Sequence, residues 1–194
     1  MRCLPLLAAL VLLLSGCANV SIGLYEDVRS PACEYRGKPG TPMIVLEAQA
    51  VPSATLLPCV EALPAGWRVS DVFIRRGRAR FTLDSDRAGP RAVTVVLEHH
   101  CQVPRVTRVP SDEPGTRRYE EIGPVRPGVG FTGRRFYLFP GGCVTYSLKF
   151  TGEERAEPLG VVTLALSFVP REAIRELIRT TTRHRADLDP AQGG

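Results

Sequence analysis

Several stretches of this chain carry side chains able to do chemistry. Glu98-His99-His100-Cys101 sets an acid, two imidazoles and a thiol in a row, the ingredients of a metal site or a Cys–His nucleophile. On an extended strand, however, neighbouring side chains point to opposite faces, so His99 and His100 cannot readily share one metal. Cys101 has a better use as a disulfide partner. Asp84-Ser85-Asp86-Arg87-Ala88-Gly89 offers oxygen ligands for calcium, but it lacks a third ligand and a distal glutamate, and Arg87 would compete with the ion. A turn explains it more simply. Arg75, Arg76, Arg78 and Arg80 crowd a predicted hairpin tip, where four guanidinium groups could clamp a phosphate or carboxylate. Solvation of the turn is the plainer use. Arg171, Arg175, Arg179 and Arg183 recur every four residues on a predicted terminal helix. This broad basic flank is offset in part by Glu172 and Glu176 at i+3, and its sharper reading is contact with an anionic surface.

What is missing narrows the choice. There is no Gly-rich phosphate loop, no G-x-S-x-G and no H-E-x-x-H. The cysteines show no C-x₂-C spacing, so no zinc site is expected. Near the hairpin arginines only Phe73 and Phe81 are aromatic, too few for a single-strand nucleic-acid surface. The expectation is therefore no cofactor, no metal, no nucleic acid and no recognisable catalytic set.

The N-terminus has a stronger pattern. Met1-Arg2 supplies a positive charge, Leu4 to Leu14 is apolar, and Ser15-Gly16 are small residues ahead of Cys17. This is the layout of a secretory signal, and the apolar run is too short for a permanent span, which needs ~20 residues. Leu14-Ser15-Gly16-Cys17 resembles the lipobox of bacterial lipoproteins. The resemblance implies a diacylglyceryl group on the Cys17 thiol and cleavage after Gly16. Two acyl chains at ~0.8 kcal/mol per buried CH₂ would anchor the chain stably. Ala18 at the next position resembles an outer-membrane sorting signal in a two-membrane organism and carries no such meaning in a one-membrane organism, where the anchor would hold the chain to the outer face of the cell membrane. The phrases Val51-Pro52-Ser53-Ala54-Thr55, Leu63-Pro64-Ala65-Gly66-Trp67 and Phe139-Pro140-Gly141-Gly142-Cys143 also resemble those of uncharacterised lipoproteins from high-GC bacteria, a likeness that implies no activity.

Of the six cysteines, Cys3 would leave with the signal segment and Cys17 would take the lipid, so Cys33, Cys59, Cys101 and Cys143 remain. Four cysteines in an exported chain read as two disulfides, with three connectivities open. Cys33–Cys59 with Cys101–Cys143 is preferred, because Cys101 ends one predicted strand and Cys143 begins another. Only Lys38 and Lys149 among the 25 basic residues are lysine, and removal of Arg2 takes the formal charge from +5 to +4. Such a surface suits anionic lipids or polymers.

The elements that must position these residues are mostly strands. Residues 43–50, 54–60, 67–75, 79–84, 91–99, 134–139, 143–150 and 159–169 read as strands by composition or alternation. The proline-rich stretch 102–130 reads as an irregular crossover with a short strand near Arg117 to Ile122. Pro170 opens one helix, to about Arg185, with Ile174, Leu177 and Ile178 on its apolar stripe. The expected fold is mainly β, an antiparallel β-sandwich or open barrel with one C-terminal amphipathic helix. Residues 1–16 form the signal segment, 17–42 a lipidated tether, 43–185 one domain and 186–194 a flexible tail. From Ala18 to Cys33 the tether spans at most ~50 Å, so the domain must lie near the bilayer. The functional expectation is a membrane-anchored, non-enzymatic binding or accessory module of the cell envelope that presents loops to a protein or glycan. The alternative is a divergent hydrolase or metal enzyme using Asp84, Asp86, Glu98 or His99.

Overall fold

The computed structural model describes residues 30–35, 37–40, 42–124, 130–151 and 156–192. The signal segment, Cys17 and most of the tether lie outside the described residues. The chain is mainly β, with a C-terminal helix and no closed barrel. Strands β4 (Trp67–Arg75), β5 (Arg78–Ser85), β6 (Gly89–Glu98), β7 (Thr107–Val109), β8 (Arg117–Ile122), β9 (Phe131–Phe139) and β10 (Gly142–Phe150) form one antiparallel sheet in the order β4-β5-β6-β10-β9-β8-β7. Two ribbons accompany it. β1 (Glu34–Tyr35) pairs with β2 (Lys38–Pro39), and β3 (Leu56–Val60) pairs with β11 (Leu166–Pro170). Three helices are described: α1 (Pro42–Ala50), α2 (Ala156–Ala165) and α3 (Arg171–Thr181). None is long and apolar enough to cross a membrane.

Directly opposed residues of an antiparallel pair share a face, so the register defines what each face presents. One row across the large sheet runs Val72, Phe81, Val95, Tyr146, Arg135, Glu120 and Thr107. The next runs Ile74, Ala79, Leu97, Val144, Tyr137, Arg118 and Val109. This face is apolar over β4, β5, β6 and β10, then turns charged at β9 and β8. Its apolar part is covered by α1 and the β3–β11 ribbon, which carry Ile44, Ala48, Leu57, Leu166 and Val169 into the same core. Phe168 of β11 meets the rings of Tyr137, Phe139 and Tyr146 at centroid distances of 5.3, 5.9 and 6.5 Å. The other face carries Phe73, Arg80, Val96, Thr145, Phe136, Tyr119 and Arg108 in one row, so apolar and polar residues mix on it.

Both disulfides pair as expected. Cys33–Cys59 ties the β1–β2 hairpin to β3, and Cys101–Cys143 ties the β6–β7 connection to β10, with Cα separations of 4.8 and 5.9 Å. They fit an oxidising, non-cytoplasmic compartment.

Two expected strands are corrected. Residues 43–50 form α1, because Pro42 suits a first helical position and Leu46-Glu47-Ala48-Gln49-Ala50 are strong helix formers. The apolar run 159–169 splits into α2 and the short strand β11, since continuous hydrophobicity fits a covered helix as well as a central strand. The terminal helix ends at Thr181, and the tail beyond it is docked rather than loose. Leu188 is buried, the Gln192 N–H donates to Pro52 O, and Arg171 donates to Asp189 O.

Candidate functional site

The side chains singled out by sequence do not converge. Asp84 and Glu98 lie near opposite ends of the β5–β6 pair, where the strand rise separates them by roughly 20 Å. Asp84 accepts hydrogen bonds from the Arg91 N–H, Ser70 Oγ and Arg68, and these hold its carboxyl below the usual range. Asp86 takes the other arm of Arg68. The calcium stretch is therefore a turn whose acids are neutralised by arginine. Glu98 pairs with Arg78 at 3.1 Å, and Asp71 pairs with Arg80 at 2.6 Å. Half of the supposed clamp is thus satisfied internally, leaving Arg75 and Arg76 at the tip. Among the described residues no group of His, Cys, Asp and Glu is placed to hold a metal.

His99 has an unexpected neighbour. Its Nδ1 is 2.7 Å from Ser53 Oγ and 3.3 Å from Gly141 O. A Ser–His contact is half of a nucleophilic set, but among the described residues no carboxylate orients this ring. The His100 ring lies against His99, with centroids 3.9 Å apart.

The four helix arginines also separate. Arg171 is corrected outright: it is only 3% exposed, donating from Nη1 to Ala48 O and from Nε to Asp189 O, so it cannot meet an external surface. Arg175 is bound to Asp187 and Glu172, and Arg179 stands 4.0 Å from Glu176. The i+3 pairs form as expected, and Arg183 is left exposed beyond the helix end.

A denser constellation lies where the sheet face turns charged. Arg118 of β8 bonds Asp112 at 2.7 Å and approaches Glu120 at 3.4 Å. Glu120 in turn meets Arg135 of β9 at 2.8 Å, and Arg135 donates to Thr163 of α2. Tyr137 donates its hydroxyl to Asp112 at 3.1 Å. Glu113 stands 3.4 Å from Ser167 of β11. Burial raises the Glu113 carboxyl to about 6, helped by the neighbouring Asp112 charge and resisted by the Ser167 hydroxyl. For Asp112 burial also opposes ionisation, but Arg118, its own backbone N–H and Tyr137 outweigh it and hold its pKa low. Burial likewise pushes the Tyr137 and Tyr146 hydroxyls up, and Tyr146 Oη has no hydrogen-bond partner among the described residues.

This network fixes the β7–β8 hairpin rather than forming a reaction centre. Its loop is locked from within: Thr116 Oγ1 donates to Glu113 O at 2.8 Å, and Ser111 Oγ lies 2.5 Å from Thr116 Oγ1. On the outer side is a cleft of about 280 Å³ lined by Arg108, Val109, Pro110, Ser111, Thr116, Arg117 and Arg118. Sequence reasoning read this stretch as an irregular crossover with a short strand near Arg117 to Ile122 and missed the network. Alternation groups Arg118 with Glu120 on one parity of β8, but only the register with β9 turns that parity inward beside Arg135.

The same end of the molecule receives the N-terminal chain. Pro31 O accepts from the Val60 N–H, the Cys33 N–H donates to Val60 O, and Val60 faces Leu166. Beside Leu166, Leu164 of α2 is 81% exposed, and residues 62–65, an uncharged run, follow from Glu61, whose N–H donates to Ala165 O. No family model, curated protein or solved structure matches this chain.

Proposed function

We propose that this chain is an exported lipoprotein, a non-enzymatic binding or accessory module of the cell envelope. Cys17 carries the lipid, and the β7–β8 hairpin meets an envelope protein or glycan. The observation that carries this reading is the coincidence at one end of the domain. The chain from the lipobox joins beside Val60, next to the exposed Leu164 and the uncharged residues 62–65. An apolar edge is costly in water, at ~25 cal/mol per Å² left exposed, and it becomes favourable against a bilayer. Twelve residues lie between Cys17 and Ser30, so a tether of at most ~45 Å keeps that edge close to the membrane. The two disulfides agree with an exported chain.

The test is the intact mass of the protein taken from native membranes, with and without reduction. The expected result is a chain beginning at a diacylglyceryl-modified Cys17 that gains four hydrogens on reduction. A chain that begins elsewhere without lipid sinks the anchored reading.

A further inference from the structure

Arginines on the strands of the large sheet are mostly answered by a carboxylate across the ladder. Arg68 has Asp84 and Asp86, Arg78 has Glu98, Arg80 has Asp71, Arg134 has Glu121, and Arg118 and Arg135 share Glu120. Like Arg75 and Arg91, Arg108 and Arg117 depart from this rule. Both are exposed, and neither has a carboxylate partner among the described residues. Both also line the cleft behind the Ser111–Thr116 loop. Because Arg108 opposes Tyr119 and Arg118 opposes Val109, Arg108 and Arg117 sit on the same face of the hairpin as diagonal neighbours. Such positions lie ~7–8 Å apart at their roots, a span that two long side chains close easily.

We propose that this cleft is a phosphate-binding site, in which Arg108 and Arg117 grip one phosphoryl group. The inference rests on the reading that the β7–β8 hairpin is the binding surface of this module. A phosphoryl group has three terminal oxygens and can accept two guanidinium forks at once, whereas a carboxylate is filled by one. Two unanswered positive charges also match its charge. Arg118 adds little free charge, since Asp112 and Glu120 already engage it; its part is to hold the cleft wall. The Ser111 and Thr116 hydroxyls are likewise spent on the loop, so the ligand's contacts are the two arginines. The phosphoryl group belongs either to a lipid headgroup or to a soluble phosphate. Glu113, on the same loop, reaches Ser167, one residue from Leu166 at the end where the chain joins, so a headgroup of the anchoring membrane is within reach of the cleft.

Thermal unfolding of the full-length protein in detergent, in inorganic phosphate against chloride at matched ionic strength, tests the site. A ligand that binds only the folded state raises Tm with its concentration. Phosphate also favours compact states generally, so the reading is the difference between proteins. The expected result is a larger, saturating rise in wild type than in Arg108→Gln/Arg117→Gln, with Arg75→Gln/Arg76→Gln keeping the full response. An equal rise in wild type and Arg108→Gln/Arg117→Gln, or no rise in wild type, overturns the site. Hydrogen exchange of residues 107–118 in nanodiscs containing phosphatidic acid then separates the sources. Protection lost in Arg108→Gln/Arg117→Gln supports a headgroup, and a phosphate response without lipid protection supports a soluble ligand. Intact mass reports Cys17 separately, so an unlipidated chain that responds to phosphate would sink the anchor and keep the site.

Discussion

Glu47 sits in the middle of α1 with none of its surface exposed and neither carboxylate oxygen hydrogen-bonded among the described residues. Helical spacing forces this, because Ile44, Glu47, Ala48 and Val51 fall on the one stripe that docks on the sheet, and all four are buried. Burial alone raises its pKa well above 4.5, because the desolvated site favours the neutral acid over the carboxylate. The unfolded chain releases that proton near 4.5, and stability is therefore lost as pH rises above that value toward the higher folded pKa. Glu47→Met keeps the helix propensity and about the same volume while removing the buried polar atoms. It should stabilise the protein by about 1–3 kcal/mol at pH 8, with a smaller gain at pH 4.5, read by urea denaturation at the two pH values. A loss of stability at both would mean that Glu47 has a partner. Nothing among the described residues explains why the chain keeps an acid there.

At the scale of elements, the β7–β8 hairpin depends on charge pairs of unequal worth. Arg118 is mostly covered and serves Asp112 and Glu120 together, whereas the Arg134–Glu121 pair on the outer face is about half exposed. Arg118→Gln leaves two carboxylates with only Arg135 between them and should cost about 2–3 kcal/mol, against at most ~1 kcal/mol for Arg134→Gln. Hydrogen exchange should quicken over residues 107–122 in the first variant and stay unchanged in the second; equal effects would show that Arg118 holds nothing. The hairpin also shows where sequence reading reached and where it stopped. The strand Arg117–Ile122 was legible from its composition, but whether Arg118 or Tyr119 points inward depends on register with β9, which no local pattern encodes. Alternation was clear where a strand has one wet face, as in β10, whose Val144, Tyr146, Leu148 and Phe150 are all buried. It failed for 43–50 and 159–169, because an apolar run without strict period suits a covered helix and a strand alike. The arginine flank failed for a similar reason. Spacing put Arg171 near Arg175, but only the docked tail, with Asp187 and Asp189, decides that one is buried and the other is paired.

For the whole molecule, the decisive seam is β6 against β10. Each flanking set of strands is a meander of near neighbours, β4-β5-β6 on one side and β7-β8-β9-β10 on the other. Only the β6–β10 ladder joins them, and it brings Glu98 opposite Cys143 across a long stretch of chain. Closing that loop is an entropic cost that must be met before any contact repays it. Cys101–Cys143 spans this same seam, three residues beyond Glu98, and also ties down the β6–β7 connection, where Thr145 Oγ1 donates to Cys101 Sγ. Cys33–Cys59 closes a shorter segment and fastens only the β1–β2 hairpin to the β3–β11 ribbon. Both should contribute ~2–4 kcal/mol by constraining the unfolded chain. Their kinetic signatures should differ. With Cys101 and Cys143 both replaced by serine, refolding slows because the seam must form without its crosslink, and exchange rises through β7 and β8, which then hang on β9 and the Glu113–Ser167 contact. With Cys33 and Cys59 replaced, unfolding quickens while refolding of the large sheet is unchanged, since that hairpin lies off the seam. Stopped-flow refolding of the two double variants measures this. Equal refolding rates would mean that the sheet nucleates within one meander, and that the β6–β10 ladder forms only after the rate-limiting step.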